Sequence, residues 1–325
     1  MAHADDYNDA MPETTPPGGG SGAGPSGGGA AGDGSPRPLT IDRHARLYRD
    51  NHYVYPVLSR RARGISVGIN LNPDTICNFD CVYCQVDRRT PPAVRTVDED
   101  RLRDELRATL VEFRSGALFD RPEFAAVPAA LRVLRDITFA GDGEPPSYPN
   151  FTGMVRDAIR IKQEEGFPDL RVILLTNATL IDRPRVKEAM RLIDDDGGEH
   201  WLKLDAGTEA YYHTVDRTTI PFVKVLANIL EAARRRPIVV QSLFMRLHGQ
   251  PPPPEEVAAY CERLRAILDG GGGIRLVQVY TVARPPAESW VAPLADAEVD
   301  AIAAEVRRQV PEVVVEPYYS DRAGD

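Results

Sequence analysis

The sequence of 325 residues is poor in cysteine, with four, and in tryptophan, with two. Four cysteines are too few for a typical disulfide framework, so a reducing, cytoplasmic location is expected. No apolar run reaches the roughly 18 residues that a membrane-spanning helix requires, and no membrane association is expected. The first residues also lack the basic and then apolar pattern of a secretory signal.

The sequence also has no excess of basic residues. The formal net charge at pH 7 is −9, so broad electrostatic binding to a nucleic-acid backbone is not favoured. The apolar fraction of 42% nevertheless suffices for a buried core, and the charged fraction of 27% suits a surface in contact with water. The composition therefore indicates a globular domain.

The chain divides by composition into a tail and a folded part. Residues 1–38 hold ten of the 26 glycines, together with many prolines and serines. Such a segment buries too little apolar surface to offset its ordering entropy, and we expect it to be disordered. The main domain is assigned to residues 39–295, and a C-terminal helix with a short strand is assigned to residues 296–325.

From residue 39 onward, short β-branched runs alternate with longer amphipathic stretches. Strands are predicted at 65–71, 136–140, 170–176, 200–205, 237–244 and 274–281, with a tail strand at 312–316. Helices are predicted at 98–114, 151–165, 183–194, 221–235, 254–269 and 296–309. Six strand–helix units in sequence predict an α/β fold with parallel strands, either a full or partial (β/α) barrel or an open doubly wound sheet. In these architectures ligands bind at the carboxyl ends of the strands.

Three of the four cysteines, Cys77, Cys81 and Cys84, follow the first predicted strand. Their C-x3-C-x2-C spacing lets three thiolates on one loop hold three corners of a [4Fe–4S] cluster, which leaves the fourth iron open to a non-protein ligand. A structural zinc ion would need a fourth ligand such as His200 or His248. A zinc-stabilised binding module and a redox sensor that uses the cluster alone are therefore the alternatives.

A glycine turn follows the second predicted strand, in the run Gly141-Asp142-Gly143-Glu144-Pro145. Two glycines allow the backbone to approach a ligand closely, and Glu144 offers an acceptor to an ammonium group. G-x-G most often marks only a tight turn. Here it lies at the next strand end after the cysteine loop, which favours a shared site.

These two motifs resemble those of the radical S-adenosylmethionine (SAM) superfamily, whose cysteine loop has an aromatic residue at the position of Tyr83. The turn departs from the Gly-Gly pair usual in the superfamily at Asp142 or Gly143. The resemblance spans residues 65–281. It is nearest to the iron–sulfur oxidoreductases related to tRNA wyosine-base synthases, on the segments Gly68-Ile69-Asn70-Leu71 and Lys203-Leu204-Asp205-Ala206-Gly207.

The resemblance implies a partial (β/α)6 TIM-like barrel, a [4Fe–4S] cluster on the three cysteines and SAM on the open iron. The residues expected to contact SAM are Tyr83, Gly141, Asp142, Gly143, Glu144, Thr176 and Asn177. Reductive cleavage of SAM would give a 5′-deoxyadenosyl radical that abstracts hydrogen from an unidentified substrate, which is a small molecule, an RNA base or a protein. Thr176 and Asn177 have the alternative role of a turn or helix cap.

Three polar residues at later strand ends are the candidates for catalytic roles. Lys203 and Asp205 alternate with Leu204, so they share one face of a strand, and two charges facing helices would be costly. His248 follows the fifth predicted strand, where barrel enzymes place their chemistry.

Arginines flank the cysteine loop on both sides. Arg60, Arg61 and Arg63 precede the first predicted strand, and Arg88 and Arg89 follow the loop. They form either a solvated surface or a docking site for an acidic electron donor such as a flavodoxin or ferredoxin.

Overall fold

The computed structural model describes residue 48 and residues 50–59, 61–286 and 288–320. The predicted tail at 1–38 lies outside these residues. The strands are β1 (Val54–Ser59), β2 (Gly64–Ile69), β3 (Leu134–Phe139), β4 (Arg171–Thr176), β5 (Glu199–Lys203), β6 (Ile238–Leu243), β7 (Arg246–Leu247), β8 (Ile274–Tyr280), β9 (Val291–Ala292) and β10 (Val315–Tyr318). The α-helices are α1 (Glu99–Ser115), α2 (Phe151–Glu164), α3 (Pro184–Asp195), α4 (Glu209–Asp216), α5 (Phe222–Arg235), α6 (Pro254–Asp269) and α7 (Asp296–Gln309). Short 3-10 helices lie at Ala117–Asp120, Ala129–Leu131 and Pro145–Ser147.

Eight of the strands form one curled sheet in the order β1-β2-β3-β4-β5-β6-β8-β10. Every neighbouring pair from β2 to β10 is parallel, and at least one α-helix lies in each crossover between these strands. Only β1 runs antiparallel, against β2. The predicted α/β fold with a partial TIM-like barrel is confirmed.

Alternation along the strands determines what each face of the sheet buries. On β3, Ile137 and Phe139 are buried in the core between the sheet and the helices. Asp136 and Thr138 point the other way and line a cavity inside the half-barrel. Apolar residues on one face and polar residues on the other thus separate the helix-packing side from the interior.

The predicted helices and strands of the barrel agree with the structure to within two residues at their ends. Helix α1 begins where expected because the Asp98 side chain caps it, accepting from the N–H of Arg101 at 3.1 Å. It ends at Gly116, whose φ of 81° is a left-handed conformation that favours glycine.

The two-residue strands β7 and β9 and the short 3-10 helices were not predicted, and three larger elements also differ from the prediction. Strand β1 was not predicted, because Pro56 interrupts its apolar run; proline is tolerated there since β1 is an edge strand. Helix α4 was not predicted either, as it has only eight residues. The tail strand lies at Val315–Tyr318 rather than 312–316, and it extends the sheet as expected by pairing in parallel with β8.

No helix among the described residues is both long and apolar enough to cross a membrane.

Candidate cluster and cofactor site

A cavity of about 360 Å³ lies inside the half-barrel and extends to the carboxyl ends of the parallel strands. Most of the residues predicted for the site line it: Cys77, Cys81, Tyr83, Cys84, Gly141, Asp142, Gly143, Glu144, Thr176, Asn177 and Lys203. Asp205 is buried directly behind this lining and contacts it. The fold therefore gathers the cysteine loop, the glycine turn and the later strand ends around one space.

Helix α4 holds the cysteine loop in place through its last carbonyl groups. The backbone N–H of Asp80 donates to the carbonyl of Asp216 at 3.1 Å, and that of Val82 donates to the carbonyl of Val215 at 2.8 Å. The Cys81 thiol lies 3.2 Å from the Asp216 carboxylate. An element that was not predicted from sequence thus fixes the backbone on which the cysteines stand.

Asn78, within the cysteine loop, joins the loop to the end of β4. The Asn177 amide donates to Asn78 Oδ1 at 2.7 Å, and the Asn78 amide donates to the Thr179 hydroxyl at 2.6 Å. Asn177 Oδ1 in turn accepts from the N–H of Thr179 at 3.1 Å, which is the turn role that the sequence left open. Contact between Asn177 and SAM stays a prediction.

The glycine turn is packed against the segments that precede it in the site. A Cβ on Gly141 would come within 2.2 Å of Asn70 Oδ1, and a Cβ on Gly143 would come within 2.2 Å of the carbonyl oxygen of Ile76. Both positions therefore require glycine for close approach rather than for backbone conformation. Asp142, which lies between the two glycines, accepts from the Asn70 amide at 2.6 Å.

Glu144 is 2% exposed and receives donors on both carboxylate oxygens. The Thr176 hydroxyl donates to Oε1, and the backbone N–H of Asn177 donates to Oε2 at 2.9 Å. Burial raises the pKa of Glu144 to about 7, despite the two hydrogen bonds that favour its charged form. A ligand carrying a positive charge beside Glu144 would restore the carboxylate at neutral pH.

Lys203 and Asp205, predicted as a pair, form an ion pair of 3.1 Å. Asp205 also accepts from the Tyr83 hydroxyl at 2.5 Å and from the backbone N–H of Leu243 at 2.8 Å. Burial by itself lowers the pKa of Lys203, but attraction by the Asp205 carboxylate outweighs it and the pKa is raised. Lys203 is therefore held as an ammonium that lines the cavity.

The three thiols line one cavity, as ligands of a [4Fe–4S] cluster would. Burial raises the pKa of Cys77 to about 11 and that of Cys81 well above its ordinary value. Both thiols therefore ionise only when a positively charged group such as a metal ion binds them. No three His, Cys, Asp or Glu side chains of the described chain converge on one point as zinc would require. A [4Fe–4S] cube instead spreads its thiolates over separate irons, and here all three face one cavity.

The two histidines considered as a fourth zinc ligand lie elsewhere. His200 is buried beside Asp194, with Nε2 2.8 Å from the carboxylate. His248 is exposed on the β7–β9 ribbon and stacks on Trp290 at 4.6 Å between ring centroids. The structure does not bring His248 to the cavity, so its predicted catalytic role receives no support from position.

Other cavity residues were not among the predicted site residues. The interior wall also carries Ser66, Asp136, Thr138, Trp201, Gln241 and Tyr280. In the sequence, Asp136 and Thr138 alternate with apolar residues, and this pattern predicts a strand with one polar face turned toward the interior. Arg61 was read only as part of a surface cluster, because the hairpin that carries it was not predicted.

No protein-family model matches the chain. Among curated relatives, a GTPase Obg of Brachyspira hyodysenteriae is 26% identical over 184 residues, which cover 55% of this chain and 23% of the relative. The UPF0026 protein MJ1312 of Methanocaldococcus jannaschii is 32% identical over 165 residues, which cover 50% of this chain and 43% of the relative. The matches therefore span less than half the length of either relative.

Two solved structures share the architecture. A radical SAM methyltransferase from Sphaerobacter thermophilus superposes with a TM-score of 0.57 at 13% identity, covering 83% of this chain and 70% of that chain. The chain shares the fold of this methyltransferase. A structure of TYW1 with a lysine-pyruvate adduct bound gives a TM-score of 0.51 at 13% identity, covering 80% of this chain and 85% of that chain. Both likenesses agree with the fold implied by the cysteine loop and glycine turn.

Proposed function

We propose that this protein is a radical SAM enzyme. The observation that carries the proposal is the convergence of three cysteine thiols, the glycine turn and the buried Glu144 on one cavity of a radical SAM fold. The fold places all of them at the carboxyl ends of its strands. Such convergence is typical of a ligand site.

The residues divide the work as follows. Cys77, Cys81 and Cys84 would hold a [4Fe–4S] cluster, and the glycine turn with Glu144 would hold the amino end of SAM. When bound, such a cluster and SAM would supply one-electron reductive cleavage of SAM, which gives a 5′-deoxyadenosyl radical able to take a hydrogen atom from substrate. Lys203 contributes a fixed positive charge to the cavity, and the surrounding strands keep bulk water away.

The chain must also receive electrons. A groove beside Cys77 is lined by three arginines, Arg88, Arg89 and Arg95, and by two aspartates, Asp74 and Asp80, so its rim is basic on balance. Ile76 in the same groove is 68% exposed. A basic rim around an exposed apolar residue complements an acidic protein. We propose a flavodoxin or ferredoxin as the electron donor, in the reducing cytoplasm that free thiols require.

The test is anaerobic reconstitution with iron and sulfide, followed by dithionite and SAM. We expect a brown protein with the absorbance of a [4Fe–4S] cluster that produces 5′-deoxyadenosine. Cys81→Ala should lose both properties. Cys261→Ala is the matched control, because Cys261 is buried in helix α6 outside the cavity, and it should retain them. A fully loaded cluster that forms no 5′-deoxyadenosine would show that the proposal is wrong.

A wyosine-type reaction on an RNA base remains the second candidate, because the fold is also that of TYW1. The TYW1 structure has a lysine-pyruvate adduct bound. In this chain Lys203 is the lysine that lines the described cavity, and Asp205 holds it protonated, which makes its amine a poor nucleophile. We therefore propose no adduct at Lys203, and the acidic overall charge disfavours a nucleic-acid substrate.

A further inference from the structure

Arg61 lies in the hairpin between β1 and β2, at one edge of the half-barrel, and its side chain lines the cavity. The guanidinium carbon is 5.8 Å from the ring centroid of Trp201 on β5 and 5.2 Å from that of Tyr280 on β8. The arginine thus reaches from the first hairpin to strands on the opposite side of the interior. Cation–π contacts with two rings hold the guanidinium there.

The charge of Arg61 is not neutralised within the described chain. No described carboxylate lies within 4.0 Å of its guanidinium, and no described group accepts a hydrogen bond from it. The other cation of the cavity, Lys203, is by contrast paired with Asp205 at 3.1 Å. Arginine carries five N–H donors, so the Arg61 fork offers unused hydrogen-bonding capacity to whatever enters the cavity.

The carboxyl groups that line the cavity are already engaged elsewhere. Asp136 accepts from the hydroxyls of Ser66 and Thr138, the latter at 2.7 Å. The remaining two, Asp142 and Glu144, belong to the glycine turn and are bonded to Asn70, Thr176 and Asn177. No carboxyl group of the described chain that lines the cavity is therefore left to pair with Arg61.

We propose that Arg61 binds a carboxylate group of the substrate, which makes the substrate a small carboxylic acid. This inference rests on the proposed function and deepens it. A planar carboxylate matches the guanidinium fork with two parallel hydrogen bonds, and the flanking rings exclude water from the pair. A dianionic phosphate fits less well, because one arginine neutralises only part of its charge. The Asp136 carboxyl group in the same cavity would also repel it.

Gln241 provides a second observation that points to a polar ligand. It is fully buried, it lines the cavity, and its Nε2 donates to Gln278 Oε1 at 2.7 Å. The other polar atom of the Gln241 amide has no partner among the described residues. Gln241 on β6 pairs with Lys203 on β5, and Lys203 lies two residues after Trp201 on that strand. The unpaired amide atom therefore lies on the same side of the cavity as Trp201. A buried amide atom without a partner is costly unless a ligand satisfies it.

The test uses the fluorescence of Trp201, which lies under the Arg61 guanidinium. The full chain contains two tryptophans, so Trp290→Phe leaves Trp201 as the only tryptophan. Benzoate is the probe, and benzamide is its neutral counterpart of similar shape; both are titrated at constant ionic strength. We expect a saturable change with benzoate and at least a tenfold weaker one with benzamide.

Three further variants, each made in the Trp290→Phe protein, test whether Arg61 is the group that binds benzoate. Arg61→Gln should weaken benzoate binding at least tenfold, and Arg61→Lys should restore part of it, because lysine keeps the charge and loses the fork. Arg63→Gln removes an exposed arginine from the same hairpin and should leave binding unchanged. Melting temperatures of all variants identify any that fail to fold.

Equal binding of benzoate and benzamide, absence of benzoate binding, or full binding by Arg61→Gln would each overturn the proposal. The assay requires neither a cluster nor SAM. A protein that binds benzoate through Arg61 yet forms no 5′-deoxyadenosine would refute the proposed function alone, and the reverse result would refute only the substrate class.

Discussion

The Tyr83 hydroxyl donates to Asp205 Oδ2 at 2.5 Å, which joins the cysteine loop to the chain that leaves β5. The same carboxylate pairs with Lys203 and accepts from the N–H of Leu243 at the end of β6. One buried carboxylate therefore links the cysteine loop to two neighbouring strands. The position of the loop depends on this link as well as on the covalent chain.

Tyr83→Phe should lower the free energy of unfolding by about 1 to 3 kcal/mol, the usual loss for a buried hydrogen bond to a charged group. Asp205 keeps its other two partners, so the variant should still fold. Urea denaturation measures the change. Iron content after reconstitution should also fall, because the loop loses one of its attachments.

Tyr211→Phe is the matched control for that variant. The Tyr211 hydroxyl is buried and has no hydrogen-bond partner among the described residues. Its removal should leave stability unchanged or slightly raised, since an unsatisfied buried polar atom is lost. Equal effects of the two substitutions would show that the Tyr83–Asp205 bond contributes nothing.

Glu144 should make stability depend on pH. Its pKa is raised by burial from an ordinary value of 4.5 to about 7, so between these values the folded protein binds more protons than the unfolded chain. Stability due to this group is therefore greatest below pH 4.5 and falls as pH rises toward 7. Melting temperatures measured from pH 5 to pH 8 should show the decline.

Glu144→Gln separates this contribution from all others. A glutamine can accept from the N–H of Asn177 and donate to the Thr176 hydroxyl, so it mimics the protonated acid without titrating. The difference in melting temperature between the variant and the parent should grow in the variant's favour as pH rises from 5 to 7. A pH-independent difference would show that the Glu144 pKa is close to its ordinary value.

Gly143→Ala should reduce cluster loading. The added Cβ would approach the carbonyl oxygen of Ile76 to 2.2 Å, and this backbone atom lies next to Cys77. The cysteine loop must shift to relieve the contact. The measurement is iron and sulfide per chain after reconstitution.

Gly249→Ala provides the comparison. Gly249 has a φ of 80° with nothing within 4 Å of an added Cβ, so alanine strains the backbone there without pushing on a neighbour. It should cost stability and leave cluster loading intact. Loading that falls equally in both variants would trace the Gly143 effect to general instability.

The sequence was sufficient for the barrel strands and their helices, because each buries a continuous apolar face with the expected period. It was also sufficient for the grouping of cysteines, glycine turn and Lys203, since the carboxyl ends of parallel strands meet.

What could not be predicted depends on contacts between segments distant in sequence. The role of Arg61 requires the β1–β2 hairpin to place it against rings from β5 and β8. The support of the cysteine loop by Asp216 requires helix α4, which is too short for a clear periodic pattern. His248 follows the fifth predicted strand in the sequence, but in the structure it lies on the separate β7–β9 ribbon, outside the cavity.

Arg89 and Arg95 are exposed in the groove beside Cys77, and both are expected to contact the electron donor. Arg88 is less suitable for a test, because it is half-buried and its Nε donates to the carbonyl of Thr75 at 3.1 Å. The double variant Arg89→Glu/Arg95→Glu should slow cluster reduction by flavodoxin at least tenfold at low salt, since steering depends on complementary charge. The difference should shrink as salt screens the charges.

Stopped-flow absorbance at the cluster band measures this rate. Arg156→Glu, an exposed arginine on helix α2 outside the groove, makes an equal charge change per site and should leave the rate unchanged. If both variants slow reduction alike, net charge rather than docking controls the rate. If neither variant slows reduction, the donor binds another face of the protein. Reversing two charges at the rim would weaken the binding of an acidic partner in this groove.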